Sequence, residues 1–313
     1  MIHEFALDPA CLNNWPTFKY VIDQCGVHHG RLISRFPRRW QKEAISHCII
    51  EGVKRTAVVE KLRNMEHKLI NSNRNYSSER GWLENAENQH DIKFFHAIIS
   101  CENPRNHEKV LIAEDIDETI ELWNVPREKI VPRKAYDLAV CARSLLNFSK
   151  EIMMIDPHFN PELPRFRDTF SHIINFTFEN NKPRRCELHA EYKESIKKPP
   201  PPLDIWQERC QNYLSPILPE GSQLRVFRWK EKPDGDKPHA RYILTERGGI
   251  RYDYGLDESD DEGRTTDVSL LAQTVYEKRW KDYQKETAAY DPLDEILIQG
   301  SNKVTRDGFS TSP

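Results

Sequence analysis

The chain reads as an α/β protein, with a mixed, largely parallel sheet flanked by helices over its second half and a mixed α+β domain before it. Three observations predict this. Apolar stretches in the second half follow the order β-α-β-α-β-β-β-α, and strands joined by helices favour parallel pairing with helices on the sheet faces. The apolar runs are short, as at Ile152–Ile155, and no 20-residue apolar span is present. Pro126 and Pro132 bracket a linker near residue 131, so residues 1–131 are expected to form an N-terminal domain, 132–286 a second domain and 287–313 a flexible tail.

Each element follows from local pattern. In the first half, residues 28–36 read as a turn and a short strand. Residues 38–70 contain no Pro and one Gly, Gly52. Trp40, Ala44, Ile45, Cys48, Val53, Ala57, Leu62 and Leu69 recur there at helical spacing, giving one long helix or two broken near Gly52. Residues 71–92 are polar. Strands are expected at 94–100 and 110–113, and a helix at 114–123. In the second half, residues 133–149 form an amphipathic helix. Glu151 to Ile155 is a buried strand stopped at Pro157. Helices at 163–178 and 205–214, strands at 185–192, 223–231, 239–245 and 250–256, and a final helix at 268–285 complete it. Four consecutive prolines, Pro199 to Pro202, stiffen one connection.

Charge narrows the function. The 313 residues carry 46 Lys and Arg against 49 Asp and Glu, a formal net charge of −3. A globally basic nucleic-acid binder is excluded, and any phosphate-binding surface must be a local patch. The N-terminus shows no basic stretch before an apolar core, so a secretory signal is not expected. The seven cysteines all lie more than four residues apart. That spacing fits no zinc ribbon and favours buried free thiols in a reducing, cytoplasmic setting. No nucleotide-binding glycine loop, Gly-x-Ser-x-Gly elbow or His-Glu-x-x-His is present. No cofactor and no metal are expected.

The segment His239-Ala240-Arg241 carries the most chemistry. Alternation along a strand puts His239 and Arg241 on one face. A guanidinium can hold two phosphate oxygens, while an imidazole can attack phosphorus or accept a proton. Glu246 follows Arg241 by five residues and is expected to orient the histidine. Asp156-Pro157 ends the first strand of this half, and Gly255-Leu256-Asp257 follows a Gly248-Gly249 turn. His-x-Arg, four residues, then Glu resembles the His-x-Lys, four residues, Asp motif of the phospholipase D superfamily, with two of three positions substituted. Together with Asp156-Pro157 and Gly255-Leu256-Asp257, it is similar to the phospholipase D-like domain at the C-terminus of MIT-domain proteins. The resemblance covers residues 133–286. It implies a metal-independent phosphodiester site in which His239 is nucleophile or acid and Arg241 the clamp, with Glu246 catalytic and Asp156 and Asp257 in support. One such motif per chain implies a homodimer. His189-Ala190-Glu191 has a carboxylate at the basic position and is rejected as a second motif.

Residues 31–42 hold five basic residues, Arg31, Arg35, Arg38, Arg39 and Lys42, with Phe36 and Trp40 between them. Cations release counterions from phosphates and aromatics stack on bases, although Phe36 and Trp40 equally suit a core. Residues 257–262 hold five acids in six without calcium-loop spacing, a solvated loop or a docking surface for a basic partner. The expectation is a phosphodiester-handling protein: a nuclease or nucleic-acid-binding component of a microbial defence or mobile-element system. A catalytically silent adaptor or structural subunit that docks a partner protein, nucleic-acid backbone or lipid headgroup is the alternative.

Overall fold

The computed structural model describes residues 1–179, 182–193, 199–233, 235, 237 and 239–302. It forms two compact units, Met1–Arg127 and Glu128–Pro313. The division falls four residues before the expected one because residues 128–132 form a strand of the second sheet, not a linker.

The first unit holds β1 (His3–Leu7), α1 (Trp15–Asp23), β2 (Arg31–Ser34), α2 (Trp40–Ser46), α3 (Gly52–Asn64), β3 (Leu69–Ile70), α4 (Trp82–Ile92), β4 (Ala97–Ser100) and β5 (Val110–Ile112). Its five strands run in the order β3-β2-β1-β4-β5, and every pairing is parallel. The expected mixed α+β domain is therefore an α/β sheet covered on both faces. Alternation along β1 shows why: Phe5 and Leu7 join a core with Phe18, Val21, Ile22, Trp40, Ala44, Val58 and Leu62 of α1, α2 and α3. Ala6 faces the other way, toward Phe36, Ala86, Phe95, Ile98 and Val110. A strand buried on both faces shows no polar alternation. Of the two readings for 38–70, the structure takes the broken one: α2 ends at Ser46 and α3 starts at Gly52, whose φ is +63°. Residues 114–123 form turns instead of a helix.

The second unit holds β6 (Glu128–Pro132), α5 (Ala135–Val140), α6 (Arg143–Asn147), β7 (Glu151–Ile155), α7 (Pro164–Glu179), β8 (Arg185–Glu191), α8 (Leu203–Leu214), β9 (Gln223–Lys230), β10 (Arg241–Thr245), β11 (Gly248–Tyr252), β12 (Thr265–Leu270), α9 (Gln273–Asp282) and β13 (Asp291–Gln299). The eight strands are ordered β13-β9-β8-β7-β10-β11-β12-β6. Only β7, β8 and β9 run parallel; the flanking pairs are antiparallel. A hairpin joins β10 to β11, β12 follows antiparallel beside them, and the chain then crosses by way of α9 to place β13 at the opposite edge. Met153 and Ile155 of β7 pack with Tyr242, Leu244, Phe227, Trp229 and Tyr276.

The expected tail is in part a strand. β13 pairs along β9, setting Ile296 opposite Val226 and Ile298 opposite Leu224. The Arg228 guanidinium holds both carboxylate oxygens of Asp294, at 2.9 and 2.7 Å. Residues 303–313 lie outside the described residues. Ile298 is fully buried, so Ile298→Ala should destabilise this unit by about 2–4 kcal/mol in denaturant titrations followed by tryptophan fluorescence. Wild-type stability in that variant would remove β13 from the sheet.

Candidate functional site

Parallel strands collect the ends of several segments at one edge, and in open α/β sheets ligands bind at the carboxyl edge. In the second unit this edge carries Asp156 after β7, Glu191 at the end of β8, Lys230 at the end of β9, and the start of antiparallel β10. The register sets Tyr242 opposite Ile155, which brings Arg241 beside Asp156.

Asp156 is fully buried. Its carboxylate accepts hydrogen bonds from the His158 and Leu256 backbone N–H groups, each at 2.9 Å. Burial raises its pKa, opposed by those two bonds and by the Arg241 charge. Gly255 makes the approach possible. Its φ is +133°, and a Cβ there would stand 2.7 Å from Asp257 Oδ1, 3.3 Å from Asp156 Oδ2 and 3.8 Å from Arg241 Nε. Arg241 donates to the Asp253 carbonyl at 3.4 Å, while its Nε is buried with no hydrogen-bond partner among the described residues. An unpaired buried donor is costly; the Nε atoms of Arg35 and of Arg133 are in the same state. Asp257 is held by Arg133 at 3.0 Å and by Arg165 at 3.6 Å.

His239 is exposed, two residues before the start of β10. Both His239 and His158 act electrostatically on Glu191, whose carboxyl is pushed up chiefly by burial. Beside them lies a cleft of about 250 Å³ lined by Glu191, Tyr192, Lys193, Lys230, Glu231 and Lys237. Its three lysines are candidate binding residues that sequence reasoning missed. They come from three separate segments and form no run.

Several expected site residues lie elsewhere. Glu246 sits at the far end of β10, about 17 Å from Arg241 by strand rise. Its carboxylate accepts from the backbone N–H of Lys150 at 2.9 and 3.1 Å and of Glu151 at 3.0 Å. It closes the start of β7 and does not orient His239. The acidic loop is tied down as well: Glu258 accepts from the Ala135 N–H at 3.1 Å at the start of α5.

The basic stretch of the first unit divides. Arg31 is buried; it donates to the Trp123 carbonyl at 2.8 Å and the Gln24 carbonyl at 3.0 Å, and lies over the Trp123 ring. Its part is structural. Arg35 pairs with Glu66. Arg38, Arg39 and Lys42 are exposed. Phe36 and Trp40 are buried in the core, where they cannot stack on bases.

His189, rejected as a second motif, is buried between aromatic rings. Its ring stacks on Phe227 and Trp229, with centroids 4.9 and 5.7 Å away. Trp229 Nε1, which can only donate, bonds His189 Nδ1 at 2.8 Å. The imidazole proton therefore sits on Nε2, 3.2 Å from Glu187 Oε2. With Nδ1 accepting, the ring is the neutral tautomer, and burial lowers its pKa.

No protein-family model matches the chain, and no curated protein matches it. Among solved structures it is similar to TrmBL2, an archaeal chromatin protein whose structure shows a novel mode of DNA binding. The identity is 10% and the TM-score 0.27, over 58% of this chain and 59% of that one. The chain thus spans under two thirds of that protein, and so distant a likeness carries no argument about fold or function.

The buried Glu187 has a consequence that titration can read. Burial raises its pKa, but hydrogen bonds from His189 and Arg185 outweigh this and hold it at about 2, below the ordinary 4.5. A carboxyl depressed on folding adds stability above its unfolded pKa, and that stability is lost as pH falls through the folded one. Glu187→Gln should flatten the fall in stability between pH 4.5 and about 2. An acid limb unchanged from wild type, followed by circular dichroism, would show that the carboxylate contributes nothing.

Proposed function

We propose that the chain binds a nucleic-acid backbone at the carboxyl edge of β7, β8 and β9. Arg241 and His239 contact a phosphate there, and Lys193, Lys230 and Lys237 extend the grip to its neighbours. The observation that carries this reading is the Arg241 guanidinium at this edge, held among the described residues by a single 3.4 Å hydrogen bond to the Asp253 carbonyl, set beside exposed His239 and a cleft in which three lysines outnumber two glutamates. A phosphodiester matches the guanidinium fork. Asp156, held by two backbone N–H groups, fixes the start of β10 and so the place of the clamp. The exposed Arg38, Arg39 and Lys42 are a second phosphate-facing group, on the first unit.

This reading keeps the clamp that the phospholipase D-like resemblance implies and leaves hydrolysis aside. Glu246, the acid of the motif, is remote from His239, and His189, buried against Phe227 and Trp229 with both ring nitrogens engaged, offers no second nucleophile. Binding at Arg241 requires one copy of the chain.

The test is fluorescence anisotropy with labelled single-stranded and duplex oligonucleotides in EDTA. A charge-assisted hydrogen bond is worth about 1.5–3 kcal/mol, so Arg241→Ala should weaken binding roughly ten- to a hundredfold. Reversing Lys193 and Lys237 to Glu should lower the salt slope by about 1.5, at 0.7–0.9 per phosphate contact. Affinity and slope unchanged in both variants would rule the edge out. Cleavage in EDTA that His239→Ala abolishes would convert the reading from binding to hydrolysis.

A further inference from the structure

The first unit has a carboxyl edge of its own, and the phosphate reading uses none of its central groups. The order β3-β2-β1-β4-β5 reverses direction between β1 and β4, because the chain proceeds outward from β1 on one side and from β4 on the other. Such a reversal opens a crevice beyond the strand ends. Asp8 follows β1 directly, and its N–H continues the ladder to the Ile99 carbonyl at 2.9 Å. Cys11 lies one short turn further on, and Cys101 follows β4 directly.

These three side chains converge. One ligand atom from each of Asp8, Cys11 and Cys101 lies within 4.8 Å of the others, and the two sulfurs are 2.8 Å apart. Asp8 Oδ1 is engaged by the Ala10 N–H at 2.9 Å, which fixes the carboxylate and leaves Oδ2 for another partner. Cys11 is buried and Cys101 exposed, so the cluster opens to solvent on one side. Asn14, at the start of α1, donates to Glu114 at 2.8 Å, and Glu114 and Glu102 both act electrostatically on this group.

We propose that Asp8, Cys11 and Cys101 form a zinc site with one open coordination position. Two thiolates and a carboxylate suit zinc over magnesium or calcium, which take oxygen donors. Two sulfurs on a tetrahedral zinc, each about 2.3 Å from it, stand about 3.8 Å apart. Cys101, on the exposed side, has about 1 Å to move. Both thiols lose their protons to solvent as the ion enters, and no oxidation occurs. Three protein ligands leave the fourth position for water or a ligand oxygen. Glu102 and Glu114 add negative charge beside a divalent cation, which offsets their mutual repulsion.

The probe is zinc alone, added to the reduced full-length chain in competition with a chromophoric chelator. Cobalt(II) substitution reports thiolate ligation by its charge-transfer absorption. One zinc per chain is expected, with a cobalt–thiolate band. Cys101 is exposed, so Cys101→Ser is expected to fold as wild type. It should lose at least the ~10–100-fold in affinity that even an outer-sphere partner is worth, together with the cobalt band. Asp8→Asn should weaken zinc while keeping the band, and Cys141→Ser, in the second unit, should change neither. Failure of the reduced chain to take up zinc, or equal uptake by Cys101→Ser, overturns the site. Arg241→Ala should bind zinc as wild type does, so this result stands apart from the phosphate test.

Discussion

The second unit depends on a carboxylate that it keeps out of water. Burying Asp156 is costly, and the cost is met by two backbone N–H groups and by the nearby Arg241 charge. Those partners come from the turn after β7, the segment before Asp257 and the start of β10. One side chain therefore ties the segment before Asp257 to the paired ends of β7 and β10. Gly255 is the necessary companion, since any Cβ there would strike Asp257 or crowd Asp156. The clamp and the segment that leads into the acidic loop are both placed by that carboxylate.

Both units exploit the same property of parallel strands. Their carboxyl ends point one way, so residues distant in sequence arrive side by side without any motif. In the first unit this brings Asp8 and Cys11 to Cys101, 90 residues from Cys11. In the second it gathers Asp156, Glu191, Lys230 and Arg241. The two edges differ in their chemistry: the first joins thiols to carboxylates, while the second sets guanidinium and ammonium groups among carboxylates.

Much of the second unit was legible in the sequence. β7, β8, β9, α7 and α8 are dense apolar stretches bounded by prolines or polar turns, and their limits agree with the pattern to within a residue or two. The edge strands were not legible. β6 exposes most of its residues and lacks an alternating face, and β13 carries only two buried apolar residues. Both are defined by a partner strand far away in sequence. Among the candidate residues, the neighbouring places of Arg241 and Asp156 were legible because a strand start and a strand-ending Asp-Pro are local signals, whereas His239 precedes β10 and owes its place to no strand alternation. Arg31 misled because a buried guanidinium looks like a surface one until the Trp123 carbonyl, 92 residues on, is seen to hold it. Glu246 misled because spacing along a strand fixes distance but not which end of the sheet a residue reaches. The lysine cleft and the Cys11–Cys101 pair carry no local signature.

The two outermost strands of the eight-stranded sheet are the first and last of its unit, β6 and β13. Seven inter-strand gaps of ~4.8 Å separate them, about 34 Å measured across the sheet. The chain thus enters along one rim and leaves along the other, with the parallel strands enclosed between. Tension applied through the two ends would load these rims before anything else. It would peel β6 from β12 and β13 from β9 while the central ladder bore little force. The segment that holds Arg241 and Asp156 lies mechanically sheltered, behind sacrificial strands at either side.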